Sequence, residues 1–92
     1  MKKESSLLKL LFKLKPLRVM LSLNDGPKYP SAISKEIDCT YSHTMKILEE
    51  LKKHELVEFT KSGRIKVVTI TKKGEEVFRV LRSLSEKINN LK

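Results

Sequence analysis

Apolar residues at helical spacing predict two helices near the start of the chain. Residues 5–14 are expected to form an amphipathic helix whose leucines fall on one face: Leu7, Leu8, Leu11 and Leu14. Pro16 suits the first turn of a second helix, which ends at the turn residues 24–26. The pattern leaves open whether Pro16 kinks one long helix or separates two helices.

Two further helical segments follow, on either side of a break at residues 38–40. Ser31 comes directly after Pro30 and is predicted to cap the first of them, whose apolar side holds Ala32, Ile33 and Ile37. Thr40 is the predicted cap of the second, which begins at Tyr41. Apolar spacing in that helix places three residues in the core: Thr44, Leu48 and Leu51.

A β-hairpin and a last helix complete the pattern. Residues 57–60 and 65–70 are rich in strand formers and are joined by a turn at 61–64. Thr71 is expected to cap the last helix, whose apolar residues follow a heptad: Val77, Leu81, Leu84, Ile88 and Leu91. The element order predicts one α+β, mainly α domain over residues 1–92. Its parts are an N-terminal helix over 1–15, a helix-turn-helix and hairpin over 16–70, and a C-terminal helix over 71–92.

The chain is strongly basic, with a formal net charge of +9 and a pI of about 9.8. Residues 1–30 have seven cations and two anions, residues 31–56 have four and five, and residues 57–92 have nine and four. The excess therefore lies at the two ends of the chain. Such a balance favours a polyanionic partner, although many lysine-rich chains are simply well solvated.

Several classes of function are not expected. The single cysteine, Cys39, allows no intramolecular disulfide and suits a reducing cytosol. No apolar run is long enough to span a membrane, and the N-terminus does not match a signal peptide. No catalytic motif, cofactor motif or metal-ligand spacing is present. Cys39 precedes a helix N-terminus, where a redox-sensing thiol is one interpretation and a buried small residue is the other.

Three stretches in the right order give the chain a family resemblance. They are residues 33–37 (ISKEI), residues 44–51 (TMKILEEL) running into Leu56 and Val57, and residues 70–74 (ITKKG). Over residues 16–80 the chain resembles winged helix-turn-helix DNA-binding proteins of the MarR-like and small archaeal regulator type. Members of this family commonly have a glycine before the first wing strand, where this chain has His54 and Glu55.

The resemblance implies that the helix starting at Tyr41 is the recognition helix and that the hairpin is the wing. Recognition helices of this type contact bases with their N-terminal residues. The expected DNA contacts are Thr40, Tyr41, Ser42, His43, Met45 and Lys46 on the helix, and Lys61, Arg64 and Lys66 on the wing. The alternative is an ordinary solvated helix face beside a hairpin whose charges deter edge pairing. Lysines of the N-terminal segment, Lys13 and Lys15 among them, are a candidate phosphate-binding flank.

The terminal helices are the expected dimer interface. Leu7, Leu11 and Leu14 would pack with the heptad residues of the last helix, within or between subunits, although a basic amphipathic segment is also typical of a membrane surface. The sequence therefore predicts a cytoplasmic, prokaryotic, nucleoid-associated homodimer that binds double-stranded DNA sequence-specifically as a transcriptional regulator. The alternative function is a winged-helix module that binds protein, or DNA without sequence preference, within a larger assembly.

Overall fold

The computed structural model describes Leu10 and residues 13–90, apart from the side chains of Asn24 and Ser62. Its elements are α1 (Leu14–Ser22), a 3₁₀ turn (Leu23–Asp25), α2 (Pro30–Glu36), α3 (Tyr41–Lys53), β1 (Val57–Ser62), β2 (Ile65–Ile70) and α4 (Lys72–Asn90). This arrangement confirms the α+β, mainly helical fold with a two-stranded hairpin. The predicted interface residues Leu7, Leu11 and Leu91 lie outside the described residues.

The helix boundary near the start of the chain lies at Lys13. Lys13 has extended backbone angles, φ −84° and ψ 144°, and α1 begins at the next residue. Pro16 is buried in the first turn of α1, as expected, because a proline there loses no intrahelical hydrogen bond. Leu14 therefore belongs to α1, and its assignment to the N-terminal helix is wrong.

Helix α2 begins one residue earlier than its predicted cap. Pro30 is its first residue and Tyr29 is the N-cap residue, without a side-chain capping bond. The prediction that Ser31 caps this helix is wrong, because the proline ring fixes the helical φ and needs no hydrogen-bond acceptor. Ser31 contributes instead through its carbonyl, which accepts a hydrogen bond from the Ser34 hydroxyl at 2.8 Å.

Helix α3 has the predicted cap. The Thr40 Oγ1 accepts a hydrogen bond from the His43 N–H at 3.2 Å. The Thr44 hydroxyl donates to the Thr40 carbonyl at 2.8 Å, so this fully buried polar side chain is satisfied. Leu48 and Leu51 are also fully buried, which confirms the predicted inward face of α3.

Both α2 and α3 end in the same motif, and neither uses a glycine. After α3, the Leu56 N–H donates to the Leu51 carbonyl at 3.0 Å and the Glu55 N–H to the Lys52 carbonyl at 2.9 Å. This pair of bonds is a Schellman motif, in which the residue after the C-cap adopts a left-handed conformation. Glu55 has φ +64°, and its counterpart after α2, Asp38, has φ +55°. Glu55 thus takes the position at which the resemblance to winged helix-turn-helix proteins implies a glycine.

The hairpin is closed by a two-residue turn. Ser62 pairs with Ile65, and Gly63 has φ +68° while Arg64 does not have a positive φ, the pattern of a type II′ turn. Lys28 makes an isolated antiparallel bridge to Val68 of β2. Its backbone N–H donates to the Val68 carbonyl at 3.1 Å, and its carbonyl accepts from the Val68 N–H at 2.8 Å.

Hydrogen bonds join the start of α4 to the end of α3. The Leu56 carbonyl accepts the Thr71 N–H at 3.0 Å, and the Thr71 hydroxyl donates to the Glu55 carbonyl at 2.6 Å. The same Thr71 oxygen accepts the Gly74 N–H at 2.9 Å, which confirms Thr71 as the cap. A Cβ on Gly74 would lie 2.1 Å from the Leu56 carbonyl oxygen, so only glycine fits there.

The core lies between α1, α2, α3 and the base of the hairpin. Its buried apolar residues are Leu10, Val19, Met20, Leu23, Ile33, Ile37, Ile47, Leu48, Leu51, Leu56, Val57 and Val68. Val77, Phe78 and Leu81 of α4 pack against it from outside. Because α3 packs its inward face into this core, the orientation of its outer face relative to the rest of the domain is fixed.

We expect Glu55→Gly to stabilise the protein by about 0.5–1 kcal/mol. The substitution removes the cost of a left-handed non-glycine residue, roughly 1–2 kcal/mol, and part of the gain is offset by the backbone entropy of glycine. Urea unfolding checks this, with Lys53→Gly within α3 as the control that loses about 1 kcal/mol. A loss of stability in Glu55→Gly would contradict the argument.

We expect Gly74→Ala to destabilise the protein by about 3 kcal/mol or more. The added methyl would overlap the Leu56 carbonyl and lie 2.7 Å from the Ile70 Cγ1 atom, which forces the backbone apart. This loss outweighs the gain of about 1 kcal/mol that alanine brings to a helix. Glu75→Ala, at an exposed neighbouring position, is the control. Equal melting temperatures for the two variants would show that the close approach has no energetic weight.

Candidate nucleic-acid interface

The first two turns of α3 present most of the predicted contact residues to solvent. Tyr41, Ser42, His43 and Lys46 are exposed. Met45 is half-buried and packs against the core, so only part of its side chain is available. The neighbouring Thr40 is exposed, but its hydroxyl serves as the helix cap.

A groove joins this surface to the start of α1. His43 and Lys46 line it together with Lys13, and its volume is about 280 Å³. Its floor is largely apolar and its other lining residues are Leu10, Leu14, Lys15, Pro16, Ile47 and Glu50. One edge of the outer α3 surface is therefore flanked by a lysine from another element.

Lys15 has a role that the sequence did not indicate. Its ammonium donates hydrogen bonds to the Ile37 carbonyl at 2.8 Å and to the Asp38 carbonyl at 3.0 Å. These carbonyls belong to the turn after α2, where a positive charge also interacts favourably with the helix dipole. Lys15 thus ties α1 to the turn that precedes α3, whereas Lys13 remains on the exposed rim.

A second groove, of about 430 Å³, lies between the starts of α2 and α3 and the hairpin. Tyr41 lines it from α3, and Arg64, Ile65 and Lys66 line it from the hairpin. Its remaining lining residues are Tyr29, Pro30 and Ser31. Sequence reasoning missed Tyr29, because its place in the groove depends on the approach of a hairpin that is distant in the sequence.

The hairpin carries a like-charge pair. Lys61 and Lys66 are direct cross-strand partners, and both are exposed. The Lys66 Nζ lies 5.4 Å from the centre of the Phe59 ring, and the Lys52 Nζ of α3 lies 5.5 Å from the same ring. Opposed like charges destabilise a hairpin, whereas an ammonium over an aromatic ring is favourable. Phe59 therefore contacts one cation of the hairpin, Lys66, and one of α3, Lys52.

The predicted dimer residues fall into two groups. Val77 and Leu81 are half-buried and pack against the core of their own chain. Leu14, Leu84 and Ile88 are exposed, and so is Val80, which the heptad analysis did not include. Val80, Leu84 and Ile88 therefore form an exposed apolar stripe along the otherwise charged outer surface of α4.

Within Leu10 and residues 13–90 no group of three metal-ligating side chains comes together. Cys39 is half-buried and packs against the core. No helix in this part of the chain is both long and apolar enough to cross a membrane.

Comparison with known proteins agrees with this geometry. Residues 38–82 match a family described as the DUF6293 C-terminal winged helix domain, a stretch that contains α3, the hairpin and the start of α4. The chain has the winged-helix fold. A functionally uncharacterised protein of Archaeoglobus fulgidus is 26% identical in an alignment of 92 positions, which covers 95% of this chain and 97% of that protein.

Solved winged-helix structures resemble the chain closely. A possible HxlR family transcriptional factor from Thermoplasma volcanium is 26% identical with a TM-score of 0.85, and the match covers 99% of this chain and 85% of that one. A MarR family transcriptional regulator from Silicibacter pomeroyi is 18% identical with a TM-score of 0.79, covering 85% and 57%. The second likeness is one of fold alone. The predicted resemblance to winged helix-turn-helix proteins is confirmed.

We expect Lys61→Glu to stabilise the free winged-helix protein by about 0.5 kcal/mol, because it replaces a repulsive cross-strand pair with an attractive one. Lys61→Gln removes only the repulsion and should give a smaller gain. Thermal unfolding at low salt checks both variants, and the gain should shrink at high salt. Stability that stays unchanged or falls at low salt would mean that the two ammonium groups do not interact.

Proposed function

We propose that this winged-helix protein is a transcriptional regulator that binds double-stranded DNA sequence-specifically as a homodimer. In this proposal α3 enters the major groove, which is wide enough for a helix, and the hairpin contacts the minor groove or the backbone. The protein would act in the cytoplasm of a prokaryote. The single observation that carries the proposal is the placement of cations on both sides of the exposed start of α3.

The start of α3 has suitable side chains for base recognition. Lys46 can donate hydrogen bonds to a guanine edge, and Ser42 and His43 can bond base edges or phosphates. Tyr41 can contact the backbone or a thymine methyl group. The buried face of α3 holds the helix in place before DNA binds. This favours such contacts, because a rigid helix loses little conformational entropy on binding.

Charge along α3 places the contacts at its beginning. Glu49 and Glu50 are exposed in the second half of the helix, where they would repel phosphates. Lys13 on one side and Arg64 and Lys66 on the other supply the attraction. The proposed complex therefore tilts the helix so that its N-terminal turns lie deepest in the groove.

Two subunits would give the complex its symmetry. The exposed apolar residues Leu84 and Ile88 of α4 are a surface that a second copy would cover, with exposed Leu14 as a further contact. A two-fold dimer places its recognition helices about 34–36 Å apart, which is one turn of DNA. Two structural neighbours are named as a possible HxlR family transcriptional factor and a MarR family transcriptional regulator, which supports this use of the fold.

Selection of duplexes from a random pool, followed by titration of the best duplex across salt, tests the proposal. We expect a palindrome-like duplex to bind at least about a thousandfold more tightly than random DNA. Equal binding of all duplexes with a steep salt slope would mean that the protein binds phosphate without recognising sequence. An absence of binding to any duplex would favour the protein-interaction alternative.

Single substitutions assign the contacts. Lys46→Ala and His43→Ala should each weaken binding by about 1–3 kcal/mol and lower the preference for the selected duplex, whereas Arg64→Ala should also reduce the salt slope. Lys72→Ala is the control that also loses one positive charge. Lys72 lies outside the proposed interface, because it follows the end of β2 that is remote from the Arg64 turn. Equal losses in Lys46→Ala and Lys72→Ala would contradict the assigned orientation.

A further inference from the structure

We propose that the groove between the starts of α2 and α3 and the hairpin seats one sugar–phosphate strand of the bound duplex, with Tyr29 and Tyr41 as neutral phosphate ligands. This inference rests on the proposed function and adds to it. It assigns a role to Tyr29, which lies outside the recognition helix, and it gives Tyr41 a backbone contact in place of a base contact.

Three elements of the fold form this groove. Tyr29 precedes α2, Tyr41 begins α3, and the hairpin supplies the opposite wall with Arg64, Ile65 and Lys66. The groove has a volume of about 430 Å³ and is open to solvent. Because one wall belongs to the recognition helix, a strand in this groove would be continuous with the DNA that α3 contacts.

Part of the exposed apolar surface of the free protein lies in this groove, and another part lies on α4. Tyr29 is 50% exposed, Tyr41 is 55% exposed and Ile65 is 52% exposed. These are three of the seven large hydrophobic residues that are exposed among the described residues, and all three line the one groove. Grouped apolar exposure of this kind marks a binding surface more often than scattered exposure does.

The chemistry of the lining matches a DNA strand. Arg64 and Lys66 supply positive charge, and the described residues provide neither with a carboxylate partner within 4.0 Å. A sugar–phosphate strand alternates anionic phosphates with apolar deoxyribose faces. Cations and phenolic hydroxyls beside apolar rings and Ile65 complement both parts of that repeat. Charge complementarity therefore selects the DNA backbone as the occupant.

Neutral ligands have a distinct thermodynamic signature. A tyrosine hydroxyl that donates to a phosphate adds affinity but displaces no counterion, whereas a bound cation contributes about one unit to the salt slope. A backbone contact also carries no sequence information. Tyr29 and Tyr41 should therefore raise the affinity for every duplex equally, at every salt concentration.

The test compares Tyr29→Phe and Tyr41→Phe with Arg64→Gln on the selected duplex and on random duplex. Each tyrosine variant should bind both duplexes roughly tenfold more weakly, with the wild-type salt slope. Arg64→Gln should weaken binding and lower the slope by about 0.9. Both tyrosine rings are largely exposed, so removal of one hydroxyl leaves the core intact, and the melting temperature checks this.

A second measurement locates the phosphates. Selected duplexes that carry one neutral methylphosphonate each are bound to the wild type and to the tyrosine variants. At one position per half-site the substitution should cost the wild type several-fold more affinity than it costs the matching Tyr→Phe variant, because the variant already lacks the hydrogen bond and loses only the charge attraction.

Three results would overturn the inference. Wild-type affinity in both tyrosine variants would mean that the strand does not enter the groove, while the proposed function stands. Loss of binding to the selected duplex alone would make the tyrosines base-contacting residues. Failure of the wild-type protein to bind any duplex would overturn the proposed function, and this inference with it.

Discussion

The backbone of Leu56 is the point at which α3, the hairpin and α4 are joined. Its N–H closes the end of α3 on Leu51, and its carbonyl accepts the N–H of Thr71. Val57 and Ile70 pair immediately beyond it, so the hairpin begins and ends at this junction. The direction of the wing relative to α3 is therefore set by backbone hydrogen bonds, and the bare Cα of Gly74 is what lets the strands and α4 approach so closely.

Two residues that flank α3 adopt backbone conformations that are energetically unfavourable. Asp38 and Glu55 both adopt left-handed angles that disfavour side chains, and they stand directly before and after the segment that contains α3. The Schellman hydrogen bonds offset that cost, and each motif is followed by a residue packed in the core, Cys39 or Leu56. Lys15 adds two hydrogen bonds to the carbonyls at the first of these ends. Both ends of α3 are thus fixed by hydrogen bonds, from the local Thr40 cap and Schellman motifs together with the more distant Lys15.

Features of local sequence were predictable, and features that depend on tertiary contact were not. The caps Thr40 and Thr71 and the inward face of α3 follow from spacing and side-chain chemistry within a few residues. The role of Lys15 depends on carbonyls 22 and 23 residues away, which no periodicity reveals. The same holds for the bridge from Lys28 to β2 and for the position of Tyr29 in the hairpin groove. Ser31 was misassigned because a capping residue and an N-terminal proline give competing local signals.

In the proposed complex, overall affinity for DNA and discrimination between DNA sequences come from different parts of the protein, because of how its charge is distributed. Helix α3 has three lysines and two glutamates, a net charge of only +1, and both glutamates lie beyond its first two turns. The flanking elements hold the larger positive excess, on the wing and at the start of α1. Phosphate attraction from the flanks acts on every sequence alike, so it cannot distinguish one duplex from another. A weakly charged helix between them adds little to that general attraction, and the differences in binding energy between duplexes must then come from the few polar side chains at its start.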